Sequence, residues 1–225
     1  QLLTKIEQER NNNTDGADLM ISTEIRWYLD RAKENKLLKV AGPETKNWPS
    51  KFLREGSIVI LDLEPYVIAY NRNEVKSNPP KGYADLLRPE YKGRLGITEL
   101  AATTVIGWYD WMEKTQGPDF LTRLKAQNPK VYVGAVPNGQ AVASGEIAVS
   151  AYTVTTAVRS LIDLGAPIEI VVPSPGLGVQ HGTVIFTWSK RPNASLVFLD
   201  YLMSRDGRPP GTVPGTARAP CPTFR

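Results

Sequence analysis

The fold is decided by residues 144–172, which read SGEIAVSAYTVTTAVRSLIDLGAPIEIVV. The apolar runs at 147–152 and 168–172 are too short for helices and are bounded by glycine or proline, as buried strands are. Between them, apolar residues recur at the spacing of a helix, namely at Val154, Ala157, Val158, Leu161 and Ile162. The order strand, helix, strand is typical of an α/β layer with parallel strands.

The same alternation extends outward in both directions. Further strands are predicted at 17–23, 57–63, 66–70, 94–98, 131–133 and 183–188. Helices are predicted at the start of the chain, after Thr23, after Thr104, at 118–127, around 140–144 and after Pro192. Glu64-Pro65 separates two of these strands, and the segment 208–225 has no apolar periodicity and is expected to be a disordered tail. The sequence thus predicts α/β layers with largely parallel sheets.

Composition excludes several kinds of chemistry. The 225 residues include 27 basic and 23 acidic side chains, giving a net charge of +4, and 41% hydrophobic residues, enough for a core. A single cysteine, Cys221, and a single histidine, His181, cannot form an intrachain disulfide or a Cys/His zinc cluster. The basic residues are scattered among acidic ones, so nucleic acid is not an expected partner. We expect no enzymatic activity, no cofactor and no metal.

Six stretches carry a family resemblance. In chain order they are ADLMIST (17–23), EPYVIAYN (64–71), NPPKGYADLLRPEYKGRLGI (78–97), SGEIAVSAY (144–152), LGAPIEIVVPSPG (164–176) and KRPNASLVFLDYLMSRDG (190–207). Together they resemble the periplasmic solute-binding proteins of bacterial ABC importers, in particular the ferric-iron-binding subgroup of the family 1 extracellular solute-binding proteins.

This resemblance implies a type II periplasmic-binding fold, in which two α/β lobes are joined by a hinge. The first lobe would comprise residues 1–68 and 182–207, and the second lobe residues 69–181. Members of the family normally begin with a strand, a helix and a strand before the helix that opens this chain. We therefore expect an N-terminally truncated first lobe, and self-association because of it.

The resemblance also implies a function. The protein would be periplasmic, or extracellular and lipoprotein-anchored, and would capture a small anionic solute in an interlobe cleft for delivery to a membrane permease. The alternatives are a ligand-sensing effector domain of a transcription regulator and an Fe(III)-binding protein without a tyrosine pair. The iron-binding subgroup has adjacent tyrosines where this chain has Thr155-Thr156, so a tyrosine-based iron site is not expected.

Hydroxyl residues at strand ends and helix starts are the candidate ligand contacts, because helix N-termini favour anions. The candidates are Ser22, Thr23, Tyr66, Thr103, Thr104, Tyr152, Thr153 and Thr155. Ser22, Thr23, Thr103 and Thr104 could instead be helix caps, and Tyr66 could be hinge packing.

Overall fold

The computed structural model describes residues 2–100 and 103–207. The chain forms two compact units, one of Gln1–Leu63 with Gln180–Arg225 and the other of Glu64–Val179, called here unit 1 and unit 2. The chain crosses between the units inside two β-strands. The lobe boundaries at 68/69 and 181/182 that the resemblance implies stay a prediction.

Unit 1 is built around an antiparallel arrangement of strands. Its elements are α1 (Leu2–Asn11), β1 (Leu19–Ser22), α2 (Ile25–Lys33), 3₁₀ turns at Glu44–Asn47 and Ser50–Phe52, β2 (Leu53–Arg54), the first part of β3 (Ile58–Asn71), most of β8 (Gly178–Ile185) and α7 (Pro192–Met203). Strand β1 pairs antiparallel with β8, and β2 pairs antiparallel with β3. The core includes the fully buried side chains of Tyr28, Ile58, Phe186 and Leu199.

Unit 2 combines parallel and antiparallel pairs. Its elements are the rest of β3, 3₁₀ turns at Tyr83–Leu87 and Pro89–Tyr91, β4 (Leu95–Thr98), α3 (Thr103–Gln116), α4 (Phe120–Ala126), β5 (Lys130–Tyr132), α5 (Ala135–Ser144), β6 (Val149–Val154), α6 (Thr155–Asp163) and β7 (Ile168–Val171). Strand β4 pairs parallel with β5 and β6, whereas β6 and β7 pair antiparallel with β3. Trp108 and Met112 of α3 are fully buried in the core of this unit.

The prediction of largely parallel sheets is wrong. Strands β2, β6 and β7 all run antiparallel to β3, and β1 runs antiparallel to β8. Parallel pairing needs a crossover connection such as a helix, and β4, β5 and β6 have such connections through α3, α4 and α5. Strands β3 and β8 instead carry the chain from one unit to the other.

The predicted break at Glu64-Pro65 is also wrong, because β3 continues through it. Proline removes one ladder donor but keeps a φ angle that extended backbone tolerates. Its effect on the strand is local, and pairing with β6 begins at the next residue, Tyr66.

Two further elements begin earlier than the sequence predicts. Helix α5 begins at Ala135 because Pro137 lies in its first turn, where proline is tolerated. Strand β8 spans Gly178–Ile185, whereas the prediction was 183–188. The predicted tail lies outside the described residues. Among the described helices, none combines the length and apolar character needed to cross a membrane.

Candidate functional site

In unit 1, the candidate Ser22 belongs to a hydrogen-bond network around Tyr28. The Ser22 and Tyr28 hydroxyl oxygens are 2.9 Å apart, and the Tyr28 hydroxyl donates to the carbonyls of Met20 at 3.2 Å and Gly182 at 3.3 Å. Because a phenol has one proton, this arrangement makes Ser22 the donor to Tyr28. Burial raises the pKa of Tyr28 to about 12, so the phenol stays protonated.

The cap of α2 differs from both sequence candidates. The N-cap residue is Glu24, and the Ser22 hydroxyl accepts the Glu24 N–H at 3.2 Å. The Thr23 carbonyl accepts the N–H of Ile25 at 2.9 Å. Ser22 therefore supports the turn before α2 and does not cap the helix, and Thr23 is half-buried at the same turn.

In unit 2, three candidates meet at the start of α3. Tyr66 and Tyr152 are 3% and 5% exposed, and their ring centroids lie 4.8 Å apart. The Tyr66 hydroxyl donates to the carbonyl of Thr104 at 3.4 Å. The Trp108 ring, one turn further along α3, packs edge-on against Tyr152 at 5.4 Å. These contacts fix both phenols against the first turns of the helix.

The environment keeps Tyr66 protonated. Its pKa is raised first by burial, then by the neighbouring Tyr152, with a smaller contribution from the Glu64 carboxylate. Tyr109, whose hydroxyl donates to the carbonyl of Thr98 at 2.9 Å, has its pKa raised to about 12, mainly by burial. Phenols such as these act as neutral hydrogen-bonding groups at neutral pH.

The remaining candidates of unit 2 are Thr153, Thr155 and Thr103. Thr153 is fully buried, and its hydroxyl donates to the carbonyl of Ala135 at 3.2 Å. The Thr155 hydroxyl, at the start of α6, donates to the Glu64 carboxylate at 3.3 Å. Thr103 is the first residue of α3.

Sequence reasoning missed Glu64. The residue is 7% exposed, and its Oε1 also accepts the backbone N–H of Thr156 at 2.9 Å. The signal was present, since a carboxylate within an isoleucine- and valine-rich strand requires a buried partner. From the sequence, Glu64 was interpreted only as part of a break between two strands.

The described residues contain no cluster of three or more histidine, cysteine, aspartate or glutamate side chains that could hold a metal ion. The chemistry that the geometry does offer is hydrogen bonding by hydroxyls and by the backbone amides at the start of α3.

Comparison with solved structures places this architecture among type II periplasmic binding proteins, as the sequence predicted. Three similar structures are a substrate-binding protein of an ABC transporter from Agrobacterium tumefaciens (15% identity, TM-score 0.79, covering 91% of this chain and 64% of that one), iron-bound HitA from Pseudomonas aeruginosa (21%, 0.74, 92% and 70%) and AfuA from Actinobacillus pleuropneumoniae with fructose-6-phosphate bound (20%, 0.72, 92% and 68%). At these identities the likeness shows the fold alone.

The chain thus spans only about two-thirds of the length of these neighbours. No curated protein matches it by sequence. Residues 15–208, however, match the sequence profile of one family over most of the chain. The protein belongs to the family of bacterial extracellular solute-binding proteins.

Proposed function

We propose that this protein is the solute-binding component of a bacterial ABC importer, which captures a small anionic solute outside the cytoplasmic membrane and delivers it to a membrane permease. The family match supports solute binding as the activity. The observation that carries the anionic preference is the group of Tyr66, Tyr152 and Thr104 at the start of α3.

Hydrogen-bond geometry divides the roles within this group. The proton of Tyr66 is directed at the Thr104 carbonyl, so Tyr66 positions the first turn of α3. Tyr152 is the phenol that we propose as a donor to the solute. The first-turn amides of α3, at Thr103 and Thr104, add the partial positive charge of a helix N-terminus.

In unit 1, Thr23 is the hydroxyl that we propose for solute contact. The Ser22 hydroxyl already donates to Tyr28 and accepts from Glu24, which leaves it no free proton for an anion. Thr153 and Thr155 are likewise engaged by protein groups, Ala135 and Glu64 respectively.

The test is calorimetric titration after a thermal-shift screen with inorganic phosphate, citrate and fructose 6-phosphate. For an anion that binds, Tyr152→Phe should weaken binding by about 1.5–3 kcal/mol, since it removes a hydrogen bond to a charged acceptor. Tyr201→Phe, on the exposed face of α7, is the matched control and should leave affinity unchanged. If Tyr152→Phe binds as tightly as the wild type, the phenol does not contact the solute.

A second pair of variants tests the helix start. Thr104→Ala removes a half-buried hydroxyl at the beginning of α3, and Thr115→Ala removes an exposed one near the end of the same helix. Weakened binding is expected only for Thr104→Ala. A lower melting temperature with unchanged affinity would make Thr104 a structural residue only.

The upstream part of the parent gene distinguishes a transport function from a ligand-sensing function. A transporter component requires export, so a secretory leader is expected upstream in the parent gene. A DNA-binding domain fused upstream would instead establish the sensing alternative.

A further inference from the structure

The N-terminus of α6 is occupied by a carboxylate of the protein itself. Val154, which precedes the helix, provides no side-chain cap. Glu64, from the middle of β3, takes this role: its Oε1 accepts the Thr156 N–H at 2.9 Å and the Thr155 hydroxyl at 3.3 Å. A residue about ninety positions away in the chain thus caps the helix.

This arrangement uses the features that would otherwise attract an anionic ligand. A helix N-terminus carries about half a positive charge and has amides without helical partners. Burying a carboxylate is costly unless hydrogen bonds and positive charge compensate it, and the start of α6 supplies both to Glu64. A second anion at the same place would meet a negative charge and an amide that is already bonded.

Glu64 also adjoins the group at α3. It lies two residues before Tyr66 on β3, so the two side chains share a face of the strand. Both side chains are more than nine-tenths buried. The Glu64 charge contributes to the raised pKa of Tyr66, in addition to the larger effects of burial and Tyr152. Glu64, which accepts from the start of α6, and Tyr66, which donates to the start of α3, are therefore neighbours on one face of β3.

We propose that Glu64 is a specificity-determining residue that closes the α6 N-terminus to anionic groups and leaves the start of α3 as the anion-accepting helix end of unit 2. This inference rests on the function proposed above. It further defines the solute: its anionic group lies at α3, and any part that approaches Glu64 is uncharged or carries an O–H or N–H donor, which a carboxylate accepts.

The experiment is an NMR titration of ¹⁵N-labelled protein with inorganic phosphate, following the assigned backbone amides of Thr104 and Thr156. In the wild type, phosphate should shift the Thr104 resonance and leave that of Thr156 in place. In Glu64→Ala, the Thr156 resonance should also shift and saturate, with an apparent Kd roughly tenfold or more below the highest phosphate concentration at which the wild-type Thr156 resonance stays in place.

The control is Glu113→Ala, which changes the net charge equally on the exposed side of α3 and should leave Thr156 unresponsive. A saturable Thr156 shift in the wild type overturns the inference, and this measurement does not depend on the folding of any variant. A folded Glu64→Ala protein whose Thr156 remains silent overturns it as well. If Thr104 alone fails to respond in all proteins, the function proposed for α3 fails while the role of Glu64 stands on Thr156.

Discussion

The Tyr28 hydroxyl contacts three groups within unit 1. It donates to the carbonyls of Met20 and Gly182 and lies 2.9 Å from the Ser22 hydroxyl. Tyr28→Phe removes these hydrogen bonds from a buried site, so the free energy of unfolding should fall by about 1–3 kcal/mol. Urea denaturation measures the change, and Tyr201→Phe, at a site 53% exposed, should shift it by less than about 0.5 kcal/mol. Equal stability of the two variants would contradict the proposed network.

At the same scale, Asp18 controls how stability depends on acid pH. Its carboxylate accepts hydrogen bonds from Ser189, from the backbone of Lys190 and from Arg191, just before α7. The Ser189 hydroxyl and then Arg191 lower the pKa of Asp18 from 3.8 to about 2. Because the folded-state pKa is depressed, this contribution to stability is present above pH 3.8 and is lost as the pH falls through about 2.

Asp18→Asn should therefore flatten the pH dependence of the free energy of unfolding between pH 3.8 and pH 2. Chemical denaturation at several acid pH values measures this slope. Asp30→Asn, an exposed substitution on α2, is the control and should keep the wild-type slope. An Asp18→Asn protein with the wild-type slope would show that the carboxylate has no such role.

At the scale of elements, substitution by alanine is expected to have opposite effects on stability at two glycines. A Cβ at Gly178, at the start of β8, would lie 2.6 Å from the backbone oxygen of Glu64. A Cβ at Gly107, inside α3, meets nothing within 4 Å. Gly178→Ala should destabilise by about 1–3 kcal/mol through overpacking, and Gly107→Ala should stabilise by about 0.5–1 kcal/mol through helix propensity. Thermal melts of the two variants measure these changes. A shift of the melting temperature in the same direction for both would contradict the prediction.

At the scale of the whole molecule, iron binding is a sensitive test of function. Thr155 and Thr156 stand where the resemblance places a tyrosine pair, and burial keeps the Tyr66 phenol protonated. We expect no phenolate-to-iron absorption band when ferric citrate is added, with a tyrosine-ligated ferric protein as the positive control. A strong visible band would instead support the iron-binding alternative.

Self-association is the second prediction at this scale. Strand β1 lies at one end of the strand order, and Ile21 on it is 46% exposed. An edge strand of this kind can pair with another copy. Sedimentation velocity should show concentration-dependent association, and Ile21→Lys should reduce it because a charge discourages edge pairing. If the wild-type protein sediments as a monomer at all concentrations, the prediction is wrong.

The sequence by itself determined the α/β class and most of the helices and strands, because their periodicity is a local property of the chain. The region around 144–172 was predicted almost element for element, since β6 is almost wholly buried and α6 and β7 place Val158 and Ile168 in the core. The six stretches that carry the family resemblance extended the prediction to the type II fold. The site residues, by contrast, were predicted only from their positions along the chain.

Only the tertiary structure decided the strand directions and the partners of the polar groups. Whether β3 runs parallel or antiparallel to β6 depends on how the chain passes between the units, which no local pattern encodes. In the same way, Glu64 and Thr156 are 92 positions apart, yet they meet at one helix end. A buried carboxylate needs a partner, but the sequence cannot name which one, because that contact exists only after β3 and α6 have packed together.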